Sequence, residues 1–272
     1  MTGERNVRRL ALGFALVAAL LWLFPYAWML LTSLKTPQEL VKAPTALPAT
    51  LRLDAYAEVF HALPVARYLG LTTVMALAIA TLQIAIALPA AYALAKLDFR
   101  WRGAAFGFLL SALLIPAELR FVPTFTLFSA IGLINTLPAL VLPFAVSAFG
   151  TFLLRQALLS VPDSLIEAAR LDGASELHII YRLLPPILAP SLAAFFLVSF
   201  VHHWNDYFWP LVMTVDDSVR TLPLGIALLR EQGSGVRWHI IMAGSTLLSL
   251  PALALFALTQ KYLLRGLGSG VG

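Results

Sequence analysis

Long uncharged runs separated by short polar stretches dominate the chain from residue 10 onward. The first, residues 10–31, follows Arg5, Arg8 and Arg9. About 22 residues at about 1.5 Å each give roughly 33 Å, the thickness of a bilayer core and well beyond the apolar stretch of a secretory leader. It therefore reads as a membrane anchor and first span. A second run covers 69–95, broken only by Thr72, Thr73, Thr81, Gln83 and Pro89, groups that can face a helix partner or a path. A third begins at 104 and gives way between 116 and 122 to a mixed segment, 117–136, with Glu118 and Arg120 early and the turn-forming Gly132 and Asn135 late. That segment predicts a re-entrant or interfacial helix and loop. Further spans are expected over 137–154, 187–209 and 239–260, the last after a polar loop carrying Asp216, Asp217, Arg220, Arg230, Glu231 and Arg237. The pattern predicts an all-α integral membrane protein with about six transmembrane helices. A single transmembrane domain, 10–263, lies between an N-terminal flank, 1–9, and a C-terminal tail, 264–272.

Composition sharpens this picture. Of 272 residues 60% are hydrophobic and 12% charged, too few polar atoms to cover a water-soluble surface. The net charge of +5 forms no dense basic stripe, so it argues for membrane flanks and against a nucleic-acid partner. With the N-terminus in the cytoplasm, Arg5, Arg8, Arg9, Lys96, Arg100, Arg102, Arg155, Arg170, Arg182, Lys261 and Arg265 fall inside. Lys35, Lys42, Arg52, Arg67, Arg120, Arg220, Arg230 and Arg237 fall outside. The inside segments are shorter and denser in positive charge, so both termini and the loop 155–186 are expected in the cytoplasm. No cysteine is present, which removes disulfides, thiolate metal sites and cysteine nucleophiles.

The loop 155–186 carries the most information. Ser160-Val161-Pro162-Asp163 and Ser164-Leu165-Ile166-Glu167 both have the form of a capping box, and Pro162 suits a first helical turn. A helix carrying Leu165, Ile166, Ala168, Ala169 and Leu171 should end at a left-handed Gly173, with a second helix starting near Ser175. The physics alone leaves open whether this is a docking knob or an ordinary amphipathic interhelical loop.

Glu167-Ala168-Ala169, three residues, Gly173, nine residues, then Leu183-Leu184-Pro185-Pro186 resembles the EAA loop of ABC importer permeases. That pattern runs E-A-A, three, G, nine, I-x-L-P. Leu183 stands for its isoleucine and Pro185 for its leucine, the second departure bearing on the bend into the fifth span. Over nearly its whole length the chain is similar to carbohydrate-type permeases like the MalG subunit of maltose importers. The strings that carry the likeness are Leu133-Ile134-Asn135-Thr136, Phe152-Leu153-Leu154-Arg155-Gln156, Ala168 to Ser175, Trp204 to Pro210 and Thr221-Leu222-Pro223-Leu224-Gly225. The resemblance implies a type I importer permease fold in a prokaryotic plasma (inner) membrane. It also implies a second, MalF-like permease, a homodimeric P-loop ATPase that uses ATP and Mg, and a periplasmic or extracellular solute-binding protein. The solute would be an oligosaccharide, disaccharide or glycerol phosphate. In such a system Glu167 anchors the helix in a cleft on the ATPase, Ala168 and Ala169 allow close approach, Gly173 permits the turn, and Asp172 counts among the coupling residues. Leu165, Ile166, Leu171 and Ala174 fill the cleft. The glycine-rich tail from Arg265 to Gly272 would reach between the ATPase subunits or simply fray.

The chain has no Gly-Lys pair and hence no phosphate loop, so ATP chemistry is expected from a partner and no catalytic residue from this chain. His202 and His203 are adjacent and cannot share a helix face as zinc ligands, so no metal is expected. Polar residues in apolar runs nominate Gln83, Asn205 and Asp206 for the translocation path, with Glu118 at the interface and Trp204 among the aromatics. Trp204, Tyr207, Phe208 and Trp209 fit either sugar stacking or an interfacial belt. Glu118 and Arg120 fit either a local ion pair or a substrate-specific feature. An ion-gradient-driven secondary transporter is the alternative class. It calls for ionisable residues at the membrane midplane and for internal repeats, and the sequence displays no mid-span carboxylate and no clear repeat.

Overall fold

The computed structural model describes residues 2–230 and 237–268, and among these every regular element is helical. Helix α1 (Thr2–Ser33) contains the first apolar run, with Pro25 inside it; in a bilayer, neighbouring groups can take up the backbone bond that such a proline frees. After the short α2 (Pro37–Lys42) and α3 (Asp54–Ala62) comes α4 (Val65–Lys96), the second apolar run as one unbroken helix. Its Thr72 and Thr73 hydroxyls donate to the carbonyls of Tyr68 and Leu69 four residues back, both at 2.7 Å, which hides their polarity. The third run is divided: α5 (Arg102–Ala112) stops, residues 113–116 turn, and α6 (Ala117–Ala130) continues. At 11 residues α5 reaches only roughly 16 Å, too short to cross a bilayer alone.

Helix α7 (Leu137–Val141), started by the Thr136 side chain, runs through a 3-10 turn at Leu142–Phe144 into α8 (Ala148–Leu159), and the two halves meet at 46°. The loop then supplies α9 (Asp163–Leu171) and α10 (Glu176–His178). A π-helical stretch, Ile179–Leu183, leads to α11 (Leu184–Ile187) and α12 (Ala189–Trp204). Pro185 and Pro186 have no N–H to continue the ladder, so the preceding turn widens and the Leu184 amide bonds Ile179 five residues back. At Leu188 the chain bends by 88°. The fifth apolar run therefore bends at its start, and it stops as a helix at Trp204, short of the expected 209. Helices α13 (Phe208–Met213), α14 (Leu222–Leu229) and α15 (Trp238–Gly268) complete the chain.

Three helices are each long and apolar enough to span a membrane: Leu10–Ser33, Val65–Lys96 and Trp238–Lys261. Each bent pair, taken as one span, brings the number to as many as five by length and apolarity alone, with the divided third run, α5 and α6, outside that count. Unpartnered apolar side chains on α1, among them Phe14, Leu20 and Trp22, offer the surface that lipid tails cover.

The chain forms two compact units, residues 1–66 with 225–250 and residues 67–224 with 251–272. In the first unit, Thr36 and Glu39 make a reciprocal capping box and the second Glu39 oxygen accepts the Ala49 amide at 2.9 Å, folding the segment after α1 onto itself. Those amide bonds lower the Glu39 carboxyl below its ordinary range. Ser33 and Tyr56 hydroxyls meet at 2.8 Å, and the buried Lys35 donates to the Pro44 carbonyl at 2.7 Å. In the second unit one core cluster joins Ala87, Leu88, Ala91 and Tyr92 of α4 with Leu154 and Leu158 of α8, Ile166 of α9 and Ile179, Ile180, Leu184 and Leu188. A second cluster gathers Met75, Ile79, Phe128, Leu140, Trp209 and Met213. Helix α8 meets α12 at Gly150, where a Cβ would collide with the Phe195 ring.

Candidate coupling and translocation sites

Helix α9 starts at Pro162, whose extended backbone supplies the entry without a side-chain cap. The capping boxes expected at Ser160 and Ser164 do not form. Ser160 Oγ instead donates back to the Ala157 carbonyl at 2.7 Å, closing α8. Ile166 and Ala169, three residues apart, share one face of α9 and pack against the α4–α8 cluster, Ile166 only 2% exposed. Ile166 therefore seats the helix on its own chain and cannot fill a partner's cleft, which corrects the sequence expectation for that residue. Ala169 and Ala174 are half-buried beside it. The outward face carries Leu165, Glu167, Ala168, Leu171 and Asp172, with Leu171 89% exposed. Gly173 takes φ +85°, where a Cβ is strained, and lets the Ala174 amide close on the Ala169 carbonyl at 3.0 Å. Ser175 then caps α10 by accepting the His178 amide.

Two polar clamps tie this knob to α4, and sequence reasoning found neither. Lys96, at the last turn of α4, donates to Asp163 Oδ1 and to the Val161 carbonyl, both at 2.6 Å. On the other side the Tyr92 hydroxyl donates to Glu176 Oε2 at 2.6 Å, while Arg170 Nε bonds Glu176 Oε1 at 2.8 Å and its Nη2 reaches the Tyr92 oxygen at 3.0 Å. Arg102 and Arg155 add caps on the end of α4: Arg102 donates to the Leu94, Ala95 and Leu97 carbonyls, and Arg155 Nε to Leu94. Cations belong there, at the negative end of the helix dipole. In the sequence Lys96 is one basic flank among many, and Tyr92 pairs with a residue 84 positions away.

The path candidates separate. Gln83 is 6% exposed and fully employed: its amide donates to the Phe144 carbonyl at 2.8 Å and lies 3.4 Å from the His203 ring nitrogen, while its oxygen accepts from Ser199 at 2.7 Å. It ties α4, the 142–144 turn and α12 together. Trp204 is wholly buried, stacked on Phe200 at 5.3 Å, and so lines no path. The side chain of Glu118 lies outside the described residues, as do 231–236 and the tail 269–272. Asn205 and Asp206 do come together, at the break between α12 and α13. They line an open recess of about 560 Å³ with Arg120, Phe121, Thr124, Pro143, Phe144, His202, Tyr207, Phe208 and Trp209. Its rings are set edge to face, Phe121 to Phe208 at 5.4 Å, Phe121 to Trp209 at 5.8 Å and Phe144 to Trp209 at 5.3 Å. Trp209 is held by its indole N–H on the Ala139 carbonyl, 3.0 Å. The recess thus offers fixed apolar ring surfaces beside hydroxyl, amide, carboxylate and guanidinium groups. Among the described residues no group of histidine, aspartate or glutamate is arranged to hold a metal ion.

Comparison with known proteins agrees with this geometry. Residues 83–268 match the family of binding-protein-dependent transport system inner membrane components. The chain is 33% identical over 265 residues to the arabinooligosaccharides transport system permease protein AraQ of Halalkalibacterium halodurans, covering 96% of this chain and 94% of that one. It is 32% identical over 260 residues to the sn-glycerol-3-phosphate transport system permease protein UgpE of Yersinia enterocolitica, covering 93% and 92%. A bacterial ABC transporter involved in the import of the acidic polysaccharide alginate shares the fold at TM-score 0.79 and 22% identity, over 96% of this chain and 98% of that one. Membrane-spanning helices, the knob on α4 and full-length similarity to transport permeases converge: the chain belongs to the family of binding-protein-dependent transport system inner membrane components, as a multi-pass permease.

Proposed function

We propose that this permease works in an ATP-driven importer for a sugar or sugar-like solute, beside a second permease, a pair of P-loop ATPase subunits and an external solute-binding protein, with both of its termini in the cytoplasm. The observation that carries the coupling role is the division of labour in α9. One face is bonded and packed onto α4 through Ile166, Asp163 and the Tyr92–Glu176–Arg170 cluster. The other presents Glu167, Ala168 and Leu171 to a partner. A push on that exposed face passes into α4, a 32-residue helix, instead of bending the loop. Closure of the ATPase pair would then shift α4 and α8 as one body, alternating access to the recess at Asn205 and Asp206. ATP and Mg belong to the partner. The substrate class rests on relatives named for arabinooligosaccharide and glycerol-phosphate transport, and on the recess, whose ring faces and polar rim suit a hydroxylated solute. A secondary transporter is disfavoured because no aspartate or glutamate is fully buried among the described residues.

The test is co-purification from the native membrane in mild detergent, with the wild-type chain and with Glu167→Ala combined with Leu171→Asp. Both side chains are exposed, so the permease itself should fold. A P-loop ATPase and a second permease should accompany the wild type, and the variant should keep the permease and lose the ATPase. A wild-type preparation that retains other membrane complexes yet carries no ATPase would count decisively against the reading.

A further inference from the structure

The charged groups of the recess are not balanced against each other. Among its described lining residues Arg120 is the one arginine or lysine and Asp206 the one carboxylic acid. Asp206 sits in the turn before α13, half-buried, and its carboxyl is occupied by the Trp209 amide at 3.2 Å. Arg120 is exposed, and among the described residues it is in no ion pair. It lines the recess with His202 and with Asn205, whose amide keeps one N–H beyond its bond to the Val201 carbonyl, while the Thr124 hydroxyl is spent on the Arg120 carbonyl at 2.7 Å. Beside these stand the edge-to-face rings of Phe121, Phe208 and Trp209.

A guanidinium fork beside ring faces matches a solute that has both a carbohydrate-like apolar face and an anionic group. We propose that the solute passing this recess carries a carboxylate or a phosphate, as a uronic-acid sugar or a glycerol phosphate does, and that Arg120 is the group that meets it. The inference rests on the recess being part of the translocation path.

The intact importer, purified with its partners and reconstituted in vesicles with its binding protein, is offered a neutral disaccharide, a uronate oligosaccharide and sn-glycerol phosphate. Uptake of one of the two anionic solutes, without competition from the neutral sugar, is the expected result, and which of the two enters separates carboxylate from phosphate. Arg120→Gln should raise KM for that solute about tenfold or more, the loss expected for one charge-assisted hydrogen-bonded contact, and Arg120→Lys, which keeps the charge without the fork, should fall between Gln and wild type. Uptake of the neutral sugar alone, of neither anionic solute, or an unchanged KM in Arg120→Gln overturns the proposal. Asn205→Ala and Phe208→Ala separate the two levels of argument. If they slow uptake while Arg120→Gln does not, the charge assignment fails and the path stands; if neither they nor Arg120→Gln has any effect, the path reading fails with it.

Discussion

Lys96 closes α4 with its side chain 7% exposed, while its partner Asp163 is 75% exposed. Solvent screening on the acid side keeps the pair's own contribution near about 1 kcal/mol, but loss of the lysine would leave the Val161 carbonyl without its donor as well. Lys96→Ala should therefore lower transport more than Asp163→Ala, and Lys96→Arg, which keeps both charge and donor, should retain most of it, read as solute uptake per ATP hydrolysed by the assembled complex. Asp216, between α13 and α14, offers a separate measurement. Bonds from Ser218, side chain and amide, with help from Asn135, hold its carboxyl down at about 2. A depressed folded value means that its contribution is complete above the unfolded value of about 3.9 and disappears as pH falls toward about 2. The difference in thermal midpoint between wild type and Asp216→Asn should be constant from pH 7 to pH 5 and shrink across that acid window; a difference that grows on acidification would contradict the assignment.

At the level of elements, the knob depends on one backbone conformation and the bundle on one close approach. Gly173→Ala forces a Cβ into φ +85°, at a cost of about 1–2 kcal/mol, and should weaken ATPase retention in co-purification even though the outward side chains are intact. Gly150 brings α8 against the Phe195 ring of α12. Gly150→Leu should cost about 1–3 kcal/mol by overpacking, seen as a lower thermal midpoint in detergent, and Phe195→Ala in the same chain should restore part of it. The bend at Leu188 lies between two proline sites: Pro185 and Pro186, before which the ladder widens into a π turn, and Pro190 in the first turn of α12, which cannot continue the preceding ladder.

For the whole molecule, the decisive question is which ends face the cytoplasm. A chain without cysteine permits clean labelling with single introduced cysteines. Ser164→Cys on α9 and Ala46→Cys after α2 are both exposed positions. With the N-terminus inside, an impermeant thiol reagent should label residue 46 in intact cells and residue 164 only in inverted vesicles. The opposite pattern would place the knob outside, away from any ATPase, and remove the basis of the coupling proposal.

Hydropathy located the long spans because a bilayer demands about 20 apolar residues in a row, a one-dimensional requirement that sequence can meet visibly. The Gly173 turn and the family were equally readable, since a left-handed cap and the Glu-Ala-Ala pattern are local strings. Which face of α9 turns inward was not local: Leu165 and Ile166 are adjacent and equally apolar, and only packing on Leu88, Leu154 and Leu158 buries the second. Gln83 and Trp204 looked like path residues because polarity and aromaticity were all that the sequence could register. The fold spends the first on bonds to Phe144 and Ser199 and the second on stacking with Phe200. Tyr92 with Glu176, Lys96 with Asp163, and Arg120 with Asn205 and Asp206 are meetings across 67 or more positions of chain, or across separate helices, which no local pattern encodes. The sequence determined which stretches are apolar enough to cross a membrane and that the chain turns at Gly173. Tertiary structure decided which polar groups are consumed in holding the bundle together and which remain free to meet a solute or a partner.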